Sequence, residues 1–263
     1  MSETLESVIR EWVVNDYFTP NIKAEVIFDT LITPCIEEIV KEQLGEAGEG
    51  LVFLTKEMSI MDEVGVDNKV SKVDYVLADQ NRVYLVELKT TDSSINDEQA
   101  DAYREICQDK GSGEILGCRL LSILSGGGRT FTLHLGDPSL WGDETLKLAF
   151  DEIIGKNKYQ ADTQGITCAE KAAALIQAQN WTQRDRYRSR KYLYTLGQLV
   201  DYLDGGETLW NKPMTVLYLT PDGNAPDGFK GLSLKRFTGN GSFYAKFLSD
   251  IFEKIYGKEN GNV

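Results

Sequence analysis

Asp74 lies in the run Val73-Asp74-Tyr75-Val76-Leu77, and Glu87 and Lys89 lie in Arg82-Val83-Tyr84-Leu85-Val86-Glu87-Leu88-Lys89. Asp79-Gln80-Asn81 between the two runs supplies a turn, so the pattern predicts a β-hairpin. With the turn centred on Gln80, residues whose numbers sum to about 160 face each other, which sets Asp74 opposite position 86, one register step from Glu87. Glu87 and Lys89 are two apart and project to the same side of their strand. Two carboxylates and an ammonium therefore converge on a hairpin whose other members, Val73, Val76, Leu85, Val86 and Leu88, are apolar. Carboxylates brought that close repel unless a cation lies between them, and an oxygen-only ligand set suits Mg²⁺ or Mn²⁺.

Asp74, twelve intervening residues and then Glu87-Leu88-Lys89 resemble the D…(D/E)xK signature of the PD-(D/E)XK nuclease superfamily. The position before the aspartate is Val73 where many members carry proline. The resemblance spans roughly residues 22–91 and 184–223 and implies metal-dependent phosphodiester hydrolysis, with DNA as the expected substrate. It implies that Asp74, Glu87 and the backbone carbonyl of Leu88 ligate the metal, and that Lys89 assists the attacking water. The competing structural reading is an ordinary surface hairpin with a Glu–Lys pair.

Many relatives add an acid on the first core helix. Glu25, Glu37 and Glu38 compete for that role. Glu25 is favoured, because helical spacing puts it on one stripe with Phe28, Ile32 and Ile36; the alternative is a first-turn glutamate held by the helix dipole. RecB-like members also carry a Gln-xxx-Tyr pair, and two are present. Gln99 and Tyr103 follow Lys89 by ten and fourteen residues, although Asn96 and Gln99 also read as a capping box. Gln198 and Tyr202 precede the strand at about 214–219 and continue a helical stripe through Arg184, Arg188, Lys191 and Thr195, which resembles a phosphate track. The reading leans to this second pair and keeps the first; the arginines fit a solvated helix face equally well. The Lys230, Lys235 and Arg236 segment is the next basic candidate.

The elements that must position these residues follow from periodicity. Helices are expected at 3–17 and 22–44, the latter kinked or split at Pro34 with Thr33 capping its second half. Short strands are expected at 51–54, 73–77 and 82–89. Helices follow at about 96–109, 114–124, 143–155, 168–179 and 184–203, interrupted by a turn at 126–128 and a strand at 130–135. A strand at 214–219 and a helix at 242–256 close the chain. The expected fold is α/β: a restriction-endonuclease-like core, a mixed sheet flanked by helices, with a mainly helical insertion. It is read as a single domain over 1–263, with its core at about 20–91 and 184–256 and its insertion at about 92–183.

Composition narrows the classes. Of 263 residues, 28 are basic and 41 acidic, and the net charge of −13 argues against broad non-specific nucleic-acid binding while permitting a local basic groove. No run of apolar residues is long enough for a membrane span, and the start Met1-Ser2-Glu3-Thr4-Leu5-Glu6 carries no signal-peptide pattern, so a cytoplasmic protein is expected. Cys35, Cys107, Cys118 and Cys168 form no CxxC pair, which excludes the usual zinc and iron–sulfur spacings. His134, the single histidine, excludes His-rich metal sites and reads as a strand residue; Trp12, Trp141, Trp181 and Trp210 read as packing residues. The expected activity is thus that of a Mg²⁺-dependent nuclease of the RecB-like branch, in a prophage, defence or repair setting. Its rival is a non-catalytic nucleic-acid-binding or interaction module on the same fold, an acidic DNA mimic being the extreme form.

Overall fold

The computed structural model of the chain describes residues 24–59, 72–109, 113–125, 131, 133–156, 165–178, 186–239 and 243–257. The expected helix at 3–17, the turn at 126–128, Arg184, Trp12 and Trp181 lie outside the described residues. Five strands, β1 (Val52–Ser59), β2 (Lys72–Ala78), β3 (Val83–Leu88), β4 (Met214–Thr220) and β5 (Lys230–Ser233), form one sheet in chain order. The described helices are α1 (Ala24–Ile32), α2 (Ile36–Leu44), α3 (Asp97–Asp109), α4 (Glu114–Ser125), α5 (Asp143–Lys156), α6 (Cys168–Ala178), α7 (Arg186–Asp204) and α8 (Phe243–Tyr256). The protein is therefore α/β, with a mixed five-stranded sheet flanked by helices.

The turn between β2 and β3 is held by one side chain. The Asp79 amide donates to the Arg82 carbonyl (3.0 Å), while Asp79 Oδ1 accepts the amides of Asn81 (2.6 Å) and Arg82 (2.7 Å). The turn thus closes over Gln80 and Asn81 together, with Asp79 opposite Arg82, and the register differs by one from a turn centred on Gln80. Strands β3 and β4 run parallel: the amides of Val83 and Lys89 donate to the carbonyls of Pro213 and Leu219, at the same sequence spacing. The β4 side of this ladder ends at Pro221, which has no amide hydrogen to offer. Strand β5, parallel to β4 with Leu217 opposite Lys230 and Thr220 opposite Ser233, was not expected from sequence. It has only four residues, one of them Gly231, and its connection from β4 contains no helix. That connection folds tightly back, so a Cβ on Gly231 would stand 1.8 Å from the Gly223 carbonyl oxygen.

By contact the chain divides into two compact units. The first comprises Met1–Phe53, Tyr84–Arg104 and Val216–Val263. Here Pro34 splits the expected long helix into α1 and α2 with a 3₁₀ turn between them. Thr33 does not cap α2, contrary to expectation: its hydroxyl donates back to the Asp29 carbonyl (2.6 Å). Phe28, Ile32, Ile36 and Ile39 are buried, and Phe28 stacks on Phe252 of α8 with ring centroids 5.8 Å apart. Burial, then the Glu38 charge, pushes the Cys35 thiol up to about 11, so it stays an unreactive core group.

The second unit comprises Leu54–Val83 and Glu105–Thr215. Its axis is α7, which packs on α4, α5 and α6. Gly197 permits the close crossing with α6, because a Cβ there would meet the Cys168 carbonyl oxygen at 2.7 Å. Asp201 of α7 accepts the amides of Cys168 (2.6 Å) and Ala169 (2.9 Å), and Thr167 and Glu170 complete the start of α6 as a capping box. The described residues at 131 and 133–135 form no strand; His134 is exposed there and its ring meets the Glu152 carboxylate at 3.0 Å. Trp210 packs against Gly117, where a Cβ would stand 2.1 Å from its ring.

A buried lysine ties the hairpin turn into this unit. Lys212 Nζ donates to the Asp79 carbonyl (2.6 Å), to Glu207 Oε2 (2.8 Å) and to the Tyr202 hydroxyl, and Tyr202 itself donates to the Asp79 carbonyl. Burial works against the Lys212 charge, but the bonds to Glu207 and Tyr202 outweigh it and hold its pKa above the ordinary lysine value. A raised lysine pKa contributes stability that is full below the unfolded-state pKa and lost as pH rises through the folded value, so the contribution persists through neutral pH. Lys212→Met should lower unfolding stability by about 3–5 kcal/mol, since it strands the partners of a buried charge. Urea denaturation at pH 7 measures this, and an unchanged midpoint would remove the network from the account.

Candidate active site

The first unit carries a polar cluster on β3 and α3. Glu87 is surrounded by apolar strand residues and is only 3% exposed. A carboxylate at that depth needs donors on both oxygens. Lys89 Nζ (2.9 Å) and Gln99 Nε2 (2.8 Å) donate to Oε1, and the Tyr103 hydroxyl (2.7 Å) donates to Oε2. Lys89 Nζ also donates to Gln99 Oε1 at 3.2 Å. One glutamine amide thus bridges the acid and the base, its carbonyl to the ammonium and its NH₂ to the carboxylate.

Local sequence explains the arrangement. Alternation along β3 puts Glu87 and Lys89 on the same face. Asn96 Oδ1 starts α3 by accepting the amides of Glu98 (2.9 Å) and Gln99 (3.3 Å). Helical spacing then aligns Gln99 with Tyr103 one turn later. The Gln99 side chain reaches Glu87 and Lys89, so Asn96 caps the helix while Gln99 serves the cluster.

Gln198 and Tyr202, the pair favoured from sequence, belong to the second unit. Tyr202 is buried with Lys212 and the Asp79 carbonyl, and the neighbouring Thr195 hydroxyl pairs with that of Thr55 at 2.9 Å. Thr195 and Tyr202 are thus packed inside the second unit, while Gln198 between them is half-buried. Helix α7 is enclosed on more than its apolar side, and small polar groups there find internal partners. Lys191 Nζ is engaged as well, by the Glu57 carbonyl and Oε2 at 2.8 Å each. Glu57 has a positive φ of 50°, and Lys191 pins it from both ends. The side chains of Arg188 and Glu25 lie outside the described residues, though both positions are helical. Glu37, the alternative to Glu25, accepts the Phe53 amide at 2.6 Å.

Asp74 is a half-buried residue of β2, the sheet neighbour of β3. The Leu88 carbonyl turns away from β4, because the adjoining Lys89 amide points toward it and the peptide is trans. Among the described residues no three His, Cys, Asp or Glu side chains form a group that could hold a metal. Among the described residues Glu87 Oε2 accepts one donor, the Tyr103 hydroxyl, which leaves a carboxylate lone pair of the kind a hard cation takes. No helix among the described residues is long and apolar enough to cross a membrane.

The sequence reading passed over Tyr218, which sits in the apolar run of β4 and is wholly buried. Its hydroxyl finds no hydrogen-bond partner among the described residues. The pattern carried no signal for it: Tyr84, in a similar apolar run of β3, donates to the Ala47 carbonyl at 3.2 Å.

Fold and cluster together define an α/β protein in which half-buried Lys89 and Gln99 and buried Tyr103 surround the buried Glu87 carboxylate. Comparison with protein-family models, with curated proteins and with solved structures finds no match for the chain. If the Tyr103 hydroxyl supports the buried carboxylate, Tyr103→Phe should cost about 1.5–3 kcal/mol of stability, the range for a hydrogen bond to a charged group. Urea denaturation at pH 7 checks this, and a change within error would mean Glu87 has no need of that donor.

Proposed function

We propose that this chain is a metal-dependent nuclease with a restriction-endonuclease-like core, of the PD-(D/E)XK superfamily and its RecB-like branch, and that it hydrolyses phosphodiester bonds in DNA. The observation that carries the reading is the Gln99–Tyr103 pair engaging Glu87 and Lys89. A glutamine and a tyrosine one helical turn apart, on the helix after the E-x-K strand, are what the RecB-like resemblance calls for. The parallel β3–β4 pairing and the Asp79 turn joining β2 to β3 are compatible with such a core.

In this reading Asp74, Glu87 and the Leu88 carbonyl hold a Mg²⁺ or Mn²⁺ ion. When bound, such an ion supplies an electrophile for phosphate oxygens and makes water more acidic. The protein's own groups do the rest. Tyr103 fixes one oxygen of Glu87 and so orients the carboxylate. Gln99 holds Lys89 by its carbonyl and keeps the ammonium beside Glu87. Lys89 would then stand where negative charge grows as water attacks the phosphorus, and stabilise it as a preplaced cation. With Lys191 already paired, the contacts to nucleic acid fall in this account to Arg188 and to the exposed Lys230 and Arg236.

A second reading, a non-catalytic binding or interaction module, has one observation in its favour: Glu87 already accepts three donors and is nearly enclosed. Cleavage separates the two. Full-length protein incubated with labelled single- and double-stranded DNA should cut in Mg²⁺ or Mn²⁺ and stop in EDTA. Lys89→Ala should slow turnover by about 100-fold or more and leave Mn²⁺ affinity largely intact, the mark of a group that acts on the transition state. Asp74→Ala should lose metal binding and cleavage together. A wild-type protein that cuts neither DNA nor RNA with either metal would hand the site to the second reading.

A further inference from the structure

Tyr218 is adjacent to the Glu87 cluster and takes no part in its hydrogen bonds. The Lys89-to-Leu219 bond fixes the parallel ladder so that Glu87 and Tyr218 are cross-strand neighbours on one face of β3 and β4. On its other side Tyr218 faces Gly231 of β5, which brings no side chain to it. The Phe229 ring lies 5.5 Å from the Tyr218 ring, and Arg104 stacks over Phe229 at 5.3 Å while donating to the Asp227 carbonyl at 2.9 Å. The Tyr218 ring thus borders an aromatic and cationic stack, while its hydroxyl has no hydrogen-bond partner among the described residues. A donor left unmade at full burial is costly, and a bound oxygen, of water or of an ion's hydration shell, would complete it.

We propose that Tyr218 is a positioning residue of the Glu87 site, its hydroxyl donating to an oxygen in the hydration shell of a Mg²⁺ or Mn²⁺ ion held by Glu87. Two groups on the same strand face then meet the same ligand: Glu87 through the lone pair left on Oε2, and Tyr218 through an oxygen that the ion carries. The inference rests on the nuclease reading only in taking Glu87 for a metal ligand. It adds a residue outside the D…ExK signature and the Gln-xxx-Tyr pair.

The test compares full-length wild type with Tyr218→Phe, using Mn²⁺ alone as the probe. Thermal melting without metal and calorimetric titration with Mn²⁺ are both recorded. Without metal, Tyr218→Phe should melt at or above the wild-type temperature, because it removes an unmet buried donor and keeps the ring. Its Mn²⁺ affinity should fall about tenfold or more, as it does when an outer-shell hydrogen bond to a metal site is lost. Equal Mn²⁺ affinity in the two proteins would overturn the proposal and leave the nuclease reading standing. A Tyr218→Phe protein that melts lower without metal, or fails to fold, would assign the hydroxyl a structural bond and overturn it too. A wild type that takes up no Mn²⁺ would overturn both the proposal and the reading beneath it.

Discussion

A carboxylate in the interior of a sheet is tolerable only if its charge is answered, and Glu87 is answered three times over. The ammonium two residues along the same strand, the amide of Gln99 and the hydroxyl of Tyr103 all converge on it. Each of these donors makes a demand on the rest of the unit. Lys89 must stay on the Glu87 face of β3, which the hydrogen bond from its backbone N–H to the Leu219 carbonyl secures. Gln99 and Tyr103 must come from one helix starting just after the strand, which the Asn96 cap arranges. Breaking a partner away from such a buried group costs far more than the pair contributes in net stability, so the cluster constrains β3 and α3 together.

A similar logic recurs in the other unit, with the charge reversed. Lys212 is buried and spends its three hydrogens on a carbonyl, a carboxylate and a phenol. Its bond to Asp79 reinforces the turn that Asp79 already makes with its own carboxylate. Both sets of partners involve a tyrosine hydroxyl on a helix, Tyr103 for Glu87 and Tyr202 for Lys212. The difference lies in what remains. Lys212 uses all three of its hydrogens, whereas among the described residues Glu87 Oε2 accepts one donor and the tyrosine hydroxyl on the neighbouring strand has no partner.

Much of this was legible in the sequence for simple reasons. Helices with a strong 3.6-residue period, from 97–109 to 243–256, fall within a few residues of expectation, and the three strands around the motif were marked by runs of Val, Leu and Tyr. Strand β5 was not, because four residues with a glycine carry no period, and its pairing comes from a tight return of the chain. The strand expected around His134 is absent from its described residues, since alternation over so short a stretch does not compel pairing. The choice between the two Gln-xxx-Tyr pairs turned on a helical wheel that treated α7 as half exposed. Its Thr195 and Tyr202 are instead core residues with hydroxyl partners, a distinction between a buried polar stripe and a solvated one that residue type alone does not make.

The central claim is that Glu87, already held by Lys89, Gln99 and Tyr103, is also a metal ligand. A crystal of the full chain soaked in Mn²⁺ and measured by anomalous scattering tests it most directly. The account predicts one strong peak in coordination contact with the Glu87 carboxylate and the Leu88 carbonyl, with Asp74 completing the protein ligands. Anomalous density confined to other carboxylates, with Glu87 still bonded only to its three donors, would contradict it.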